Sequence, residues 1–263
     1  MLICPKCSQE LNKTNSSYKC NNNHCFDIAK SGYVNLLLAS SGSGDNKKMV
    51  DARYNFLSKG YYYKLAKKIS DMLSSYLSDN EVIIDGGCGT GYYDNVLKQK
   101  YPNIIGFDIS KYAIDKAAKL NKDLLYIVAS GKKVPISSNS CSCIINIFSP
   151  TFPLEAKRLL NNNGIMIIVT PKDNHLIELK NIIYDKPYLN PNNIENYEGF
   201  EICDSTQIEF KENLIKDDIF NLLEMTPYLY KTKEDDLLKI NKILSLDITF
   251  SFNITIYKKK SWS

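Results

Sequence analysis

Residues 82–93 read VIIDGGCGTGYY, an apolar strand running into an acidic residue and then glycines at 86, 87, 89 and 91. Glycines let the backbone turn sharply and bring its N–H groups close to a ligand. The order strand, glycine loop, helix is shared by several nucleotide-type sites, so this stretch alone does not name the ligand. The next strand candidate, NIIGFDIS, sharpens the reading. It ends in Asp108, 17 positions beyond Gly91, where a carboxylate can accept hydrogen bonds from both hydroxyls of a ribose. No GxxxxGK[ST] occurs, which argues against a nucleoside triphosphate site. The bland alternative is that Asp85 and Asp108 are strand-end caps. Their place at the carboxyl ends of successive parallel strands, where such sheets bind ligands, favours a site.

Outward from this loop the chain alternates. LLYIVAS (124–130), CSCIINIFS (141–149) and GIMIIVT (164–170) are apolar runs of strand length. SKYAIDKAAKL (110–120), with Ser110 placed to cap it, and PLEAKRLL (153–160) read as helices. Residues 49–77 carry Leu65, Ile69, Leu73 and Leu77 at helical spacing. Strands alternating with helices predict an α/β fold whose parallel sheet is covered on both faces. In the tail, EICDSTQIEFK and DITFSFNITIYKK are strand-like, with helical stretches between them, and suggest an antiparallel edge.

The 263 residues, 44% hydrophobic, suffice for one large domain or a medium domain with an appendage. No apolar run spans a bilayer, and MLICPKC lacks a signal-peptide pattern, so a cytoplasmic protein without a membrane partner is expected. In a reduced compartment the eight cysteines do not form a disulfide framework. Cys88, Cys141, Cys143 and Cys203 are expected to pack as small hydrophobes. The net charge of +4 is compatible with nucleic-acid binding without demanding it.

The other four cysteines crowd into residues 4–25, CPKCSQELNKTNSSYKCNNNHC. Cys4 and Cys7 form a C-x2-C knuckle, and Cys20 with His24 forms C-x3-H twelve residues later. Zinc accepts thiolate and imidazole in tetrahedral geometry at such spacings. Cys25 rivals His24 as fourth ligand, and position alone does not decide between them. Four protein ligands make the metal structural, and its binding supplies folding free energy to a small segment.

DGGCGTG, with the acid before the glycines, resembles motif I of class I S-adenosylmethionine-dependent methyltransferases. The whole chain resembles the bacterial 23S rRNA (guanine-N1)-methyltransferases. The likeness runs in order through C-x2-C-x12-C-x3-H, FDIAKSGYVNLL, ARYNFLSKGYY, DGGCGTGYY, GFDISKYAI, IINIFSP, TPKDNHLIELK and LLEMTPY. It implies a Rossmann-like, mostly parallel seven-stranded sheet with an antiparallel edge, plus a small zinc-binding domain. The implied division is a zinc-binding RNA-recognition domain at 1–37, a linker at 38–48 and a methyltransferase domain at 49–263. The resemblance assigns zinc to Cys4, Cys7, Cys20 and His24. It assigns S-adenosylmethionine to a loop containing Asp85, Gly87, Gly89, Thr90 and Gly91, with Asp108 on the ribose and Ile109, Ala129 and Ser130 beside the adenine. Tyr62 and His175 are implied as further cofactor contacts. From the residues alone, Tyr62 could equally be core and His175 a helix cap or surface residue. The resemblance also implies a homodimer gripping a 23S rRNA hairpin. Lys6, Lys13, Lys19 and Lys30 in the zinc segment suit a phosphate-facing surface, or equally a solvated charged face.

Asn146 and Pro150, in the turn after the fourth strand, are expected to line a pocket for an extruded guanine. Asn146 stands where some family members carry a basic residue, and the linker is short. No general base is legible. The rival readings are a small-molecule methyltransferase, which has no use for a zinc knot, and a non-catalytic RNA-binding module that keeps the cofactor fold.

Overall fold

The computed structural model describes residues 1–38, 44–187, 189–191, 194–229, 232 and 234–260. The N-terminal segment forms a small antiparallel sheet from β1 (Asn12–Lys13), β2 (Ser17–Lys19) and β3 (Cys25–Asp27). Next come β4 (Val34–Asn35), α1 (Lys47–Ser58) and α2 (Tyr63–Leu73). The 49–77 pattern is thus two helices, broken where Gly60 takes φ +83°. Residues 39–43 of the expected linker lie outside the described residues.

The central part follows the alternation: β5 (Ile83–Gly86), α3 (Tyr92–Leu97), β6 (Ile104–Asp108), α4 (Lys111–Leu120), β7 (Leu125–Val128), β8 (Cys141–Ile147), α5 (Pro153–Leu159) and β9 (Leu160–Pro171). The tail adds α6 (Ile177–Ile183), β10 (Phe200–Ile215), α7 (Lys216–Glu224), α8 (Glu234–Asn241) and β11 (Ser245–Lys259). All seven residues of β8 are buried, as a strand covered on both faces requires. Ser110 caps α4 by accepting from the Ala113 N–H.

The main sheet has eight strands in the order β10-β11-β9-β8-β5-β6-β7-β4. One detail corrects the expected seven-stranded sheet. The eighth strand comes from the N-terminal segment, where Val34 pairs in parallel with Ile127. The expected antiparallel edge is made by the two tail strands, with β11 antiparallel to β9 and β10 outermost, antiparallel to β11 over its whole length. Cys88, Cys141 and Cys143 are buried as expected, but Cys203 is exposed. It sits on β10 between Ile202 and Asp204, where the register shifts and the edge strand faces solvent.

One core layer packs α2, α3, α6 and α7 on Ile83, Ile145, Ile167, Phe250 and Phe252. On the opposite face, Leu2, Cys4, Leu11, Tyr18 and Val34 share a core with Ile84, Ile144, Met166 and Tyr257. The N-terminal segment is therefore welded to the sheet, with a further bridge from Leu2 to Ile136. Strand order reverses between β6 and β8 around β5, and the crevice at such a switch point is where open α/β sheets bind ligands.

Candidate active site and metal centre

The Cys4–Cys7 knuckle is a tight turn in which the Ser8 N–H donates to the Cys4 carbonyl and the Cys4 N–H to Gln9. The Gln9 backbone N–H holds the Cys7 thiol below its ordinary range, favouring thiolate. The donor atoms of Cys4, Cys7, Cys20 and His24 all lie within 4.8 Å of one another. Cys7 Sγ is 3.6 Å from Cys20 Sγ, and His24 Nδ1 is 3.4 Å from Cys4 Sγ and 3.5 Å from Cys20 Sγ. A tetrahedron with Zn–S bonds of about 2.3 Å separates its sulfurs by roughly 3.8 Å, so the four groups fit zinc. Cys25, the rival ligand, is exposed on β3 and outside the cluster.

A cleft of about 1120 Å³ opens at the carboxyl ends of the parallel strands. The sequence-predicted residues Tyr62, Asp85, Gly87, Gly89, Thr90, Asp108, Ile109, Ala129, Ser130, Asn146, Pro150 and His175 all line it. Gly91 does not. It begins α3 in the left-handed region, and a Cβ there would meet Tyr126 Oη at 2.8 Å, so its glycine serves packing behind the loop. Gly87 takes φ +74°, and a Cβ there would lie 2.5 Å from that of Ser149. The glycine loop and the turn after β8 therefore approach more closely than a side chain permits.

Asp108 is nearly buried. Its Oδ2 accepts from the Gly89 N–H at 3.1 Å and its Oδ1 from the Ser110 N–H at 2.8 Å. Each oxygen keeps a second lone pair, which fits two ribose hydroxyls. Burial raises its pKa, opposed by these two N–H bonds. Asp85 is pushed well above the usual carboxylate range by burial and by Asp94, which burial holds at about 6. Behind the loop, Asp94 accepts from Tyr126 Oη at 2.8 Å. An acidic ribose acceptor beside the apolar Ile109 and Ala129, with this much room, fits an adenosine-bearing ligand with a second molecule alongside.

Tyr62 is both wall and core: it is buried and packs edge-on against Phe56, Phe250 and Phe252. His175 is buried, with its ring 4.6 Å from that of Phe252. Burial lowers its pKa to about 3, so it is neutral. Its Nδ1 accepts from the Ser251 N–H at 3.2 Å, which leaves the proton on Nε2. Asn146 holds its own turn. Its amide donates to Ser149 Oγ at 2.8 Å and to the Pro150 carbonyl at 3.1 Å, while its Oδ1 accepts from Thr151 at 3.3 Å.

Sequence reasoning missed Phe148, Arg53 and Asp45. Phe148 follows β8 with φ +54°, a backbone region that costs an aromatic residue energy and that persists where surroundings demand it. Its ring is 40% exposed in the cleft, 6.1 Å from Tyr62 and 5.2 Å from Phe252. In the sequence it reads as the last residue of an apolar strand. Arg53 binds Asp45 Oδ2 through Nε and Nη2 at 3.0 and 2.7 Å, and Nη2 also reaches the Met225 carbonyl. This clasp at the cleft joins α1 to the segment after α7, a pairing that no local spacing reveals.

Comparison with known proteins follows the same plan. Residues 2–41 match the family model described as "RlmA, N-terminal", a zinc ribbon, and residues 84–168 match "Methyltransferase domain". YxjB of Bacillus subtilis (strain 168), provisionally named a 23S rRNA (guanine-N(1)-)-methyltransferase, is 30% identical over 98% of this chain and 97% of its own. The 23S rRNA (guanine(748)-N(1))-methyltransferase of Streptomyces fradiae is 30% identical over 68% of this chain and 66% of its own. A solved structure described as "Conversion of a Disulfide Bond into a Thioacetal Group during Echinomycin Biosynthesis" shares the fold, with a TM-score of 0.50. It is 14% identical and covers 73% of this chain and 81% of that one. With a relative 30% identical across nearly the full length of both chains, and the two family models in the same order, the chain belongs to the RlmA-type 23S rRNA guanine-N1 methyltransferase family.

Proposed function

We infer that this protein methylates N1 of a guanine in 23S rRNA, with S-adenosylmethionine as methyl donor and zinc as a structural metal. The observation that carries it is the union, in one chain, of the three-cysteine, one-histidine cluster with the glycine-loop cleft, in the order of a full-length relative. S-adenosylmethionine, when bound, supplies an electrophilic methyl carbon on a sulfonium. The backbone of Gly87 and Gly89, with Thr90, holds its methionine part. Asp108 takes the ribose hydroxyls, and Ile109, Ala129 and Ser130 border the adenine. Asp85, buried at the end of β5, stiffens the loop from behind.

The turn Asn146–Pro150 forms the floor for the guanine. Asn146 fixes the turn rather than reading the base, since its amide is already bonded within it. Phe148 offers a ring face on which an extruded base stacks. Extrusion is easiest from a hairpin loop, where stacking is already weak, so a hairpin is the proposed target. Alignment in a dry cleft then supplies much of the acceleration.

Residues 1–37 serve RNA recognition and 49–263 serve catalysis in this proposal. Lys6, Lys13, Lys19 and Lys30 are all exposed and available to phosphates. A homodimer with a joint RNA cleft completes it, on the strength of the family likeness, and light scattering at working concentration checks it.

The test is incubation with methyl-labelled S-adenosylmethionine and either protein-free 23S rRNA or a mixture of small nucleosides. Label in the RNA alone is expected. Label in the small molecules alone restores the small-molecule reading, and cofactor binding without label restores the non-catalytic one.

A further inference from the structure

Guanine N1 carries a proton at neutral pH, and that proton must leave when the new bond forms. His175 cannot take it, because its Nδ1 already accepts from Ser251 and its Nε2 holds the proton. Among the described residues, five carboxylates line the cleft: Asp45, Asp85, Asp108, Glu155 and Glu195. Four are committed. Asp45 is ion-paired to Arg53 at 2.7 Å. Asp85 is buried against Asp94. Asp108 accepts two backbone N–H bonds. Glu155 is held by Arg158 through both oxygens, and its Oε1 also accepts from the Val134 N–H.

Glu195 differs. Its side chain is exposed, and its Oε2 accepts from the Tyr197 hydroxyl at 2.7 Å. The Tyr257 hydroxyl anchors its backbone carbonyl at 2.8 Å, and the Tyr197 ring stands 5.2 Å from that of Tyr257. Burial and Glu195 push the Tyr197 phenol up to about 12, so it remains a donor. Thr151, in the turn after β8, donates its hydroxyl to Asn146 Oδ1 at 3.3 Å and lines the same cleft. The Glu195 carboxylate, held by Tyr197, therefore lines the same cleft as the Asn146–Thr151 turn at the carboxyl end of β8.

We propose that Glu195 accepts the guanine N1 proton, with Tyr197 as its positioning residue. The assignment rests on the guanine-N1 activity inferred above. N1 gains a bond to the methyl carbon, the carbon–sulfur electron pair stays on sulfur as a neutral thioether, and the N1 proton passes to a Glu195 oxygen. Exposure of Glu195 lets that proton escape to water. A carboxylate also suits guanine chemically, since N1–H and the N2 amino group are adjacent donors that two oxygens can accept together.

The experiment compares the parent protein with Glu195→Gln, Glu195→Asp and Tyr197→Phe in single-turnover methylation of 23S rRNA across pH. Glu195→Gln should lose about 100-fold at neutral pH and recover as pH rises and N1 ionises unaided. Glu195→Asp should keep part of the rate, and Tyr197→Phe should shift the pH profile. Affinity for S-adenosylmethionine by calorimetry, and for the RNA by anisotropy, should stay within about threefold. A Glu195→Gln rate equal to the parent's, a loss that is the same at every pH, or a loss explained by weaker binding overturns the proposal. A parent protein that methylates no RNA guanine overturns the activity itself, and this assignment with it.

Discussion

Asp108 is the residue whose chemistry is most sharply defined, because two backbone N–H groups fix its carboxylate at the mouth of the glycine loop. Asp108→Asn replaces one acceptor oxygen with a donor that faces a backbone N–H or a ribose hydroxyl. Hydrogen bonds to a charged group contribute about 1.5–3 kcal/mol, so calorimetry should show S-adenosylmethionine affinity falling by about 10- to 100-fold. The Asp85–Asp94 pair makes a different prediction. Burial raises Asp94 to about 6, and Asp85 lies well above its ordinary range. In the unfolded chain these groups ionise near pH 3.9, so between about pH 4 and 6 the folded protein binds more protons. Stability contributed by the two protonated carboxyls is therefore present below that window and lost as pH rises through it. Thermal melts at stepped pH should show a flatter profile for Asp94→Asn than for the parent; parallel profiles would contradict the raised carboxyl pKa values.

At the scale of elements, the zinc cluster and β4 are one device. The cluster fixes the knuckle against β2 and β3, and seven residues after β3 the chain enters the main sheet as β4. Zinc analysis of purified protein should give one ion per chain. That stoichiometry should persist in Cys25→Ala and be lost in His24→Ala. Chelation should expose residues 1–38 to protease and lower the melting temperature, because Leu2, Val34 and their neighbours share a core with the sheet. Strands β5 to β9 were legible because continuous apolar runs bounded by glycines, polar turns or capped helices have few other readings. Strand β4 was not. It is two residues long, and its partner Ile127 is 93 positions away, so nothing local marks it. The metal ligands were legible down to the choice between adjacent His24 and Cys25, which depends on which side chain the turn after Cys20 points inward. Asn146 was legible as a cleft residue, but its bonds to Ser149, Pro150 and Thr151 are a property of the folded turn. Glu195 sits in an irregular stretch with no periodicity, and only the surrounding tyrosines give it meaning.

At the scale of the molecule, both faces of one sheet are used. One carries the helical layer that supports the aromatic wall of Tyr62, Phe148, Phe252 and His175. The other carries the metal-bound segment, so exposed lysines are fixed rigidly relative to a methyl-transfer cleft. In the proposed function that arrangement would let binding of an RNA backbone orient a base, which a free-standing zinc module on a tether could not do as well. Protein-free 23S rRNA incubated with the protein and S-adenosylmethionine should, after digestion, yield 1-methylguanosine by nucleoside mass spectrometry, approaching one per RNA molecule and absent when Asp108→Ala replaces the parent. Methyl groups on another atom or another base, or none from protein that still binds the cofactor, would contradict the proposed function.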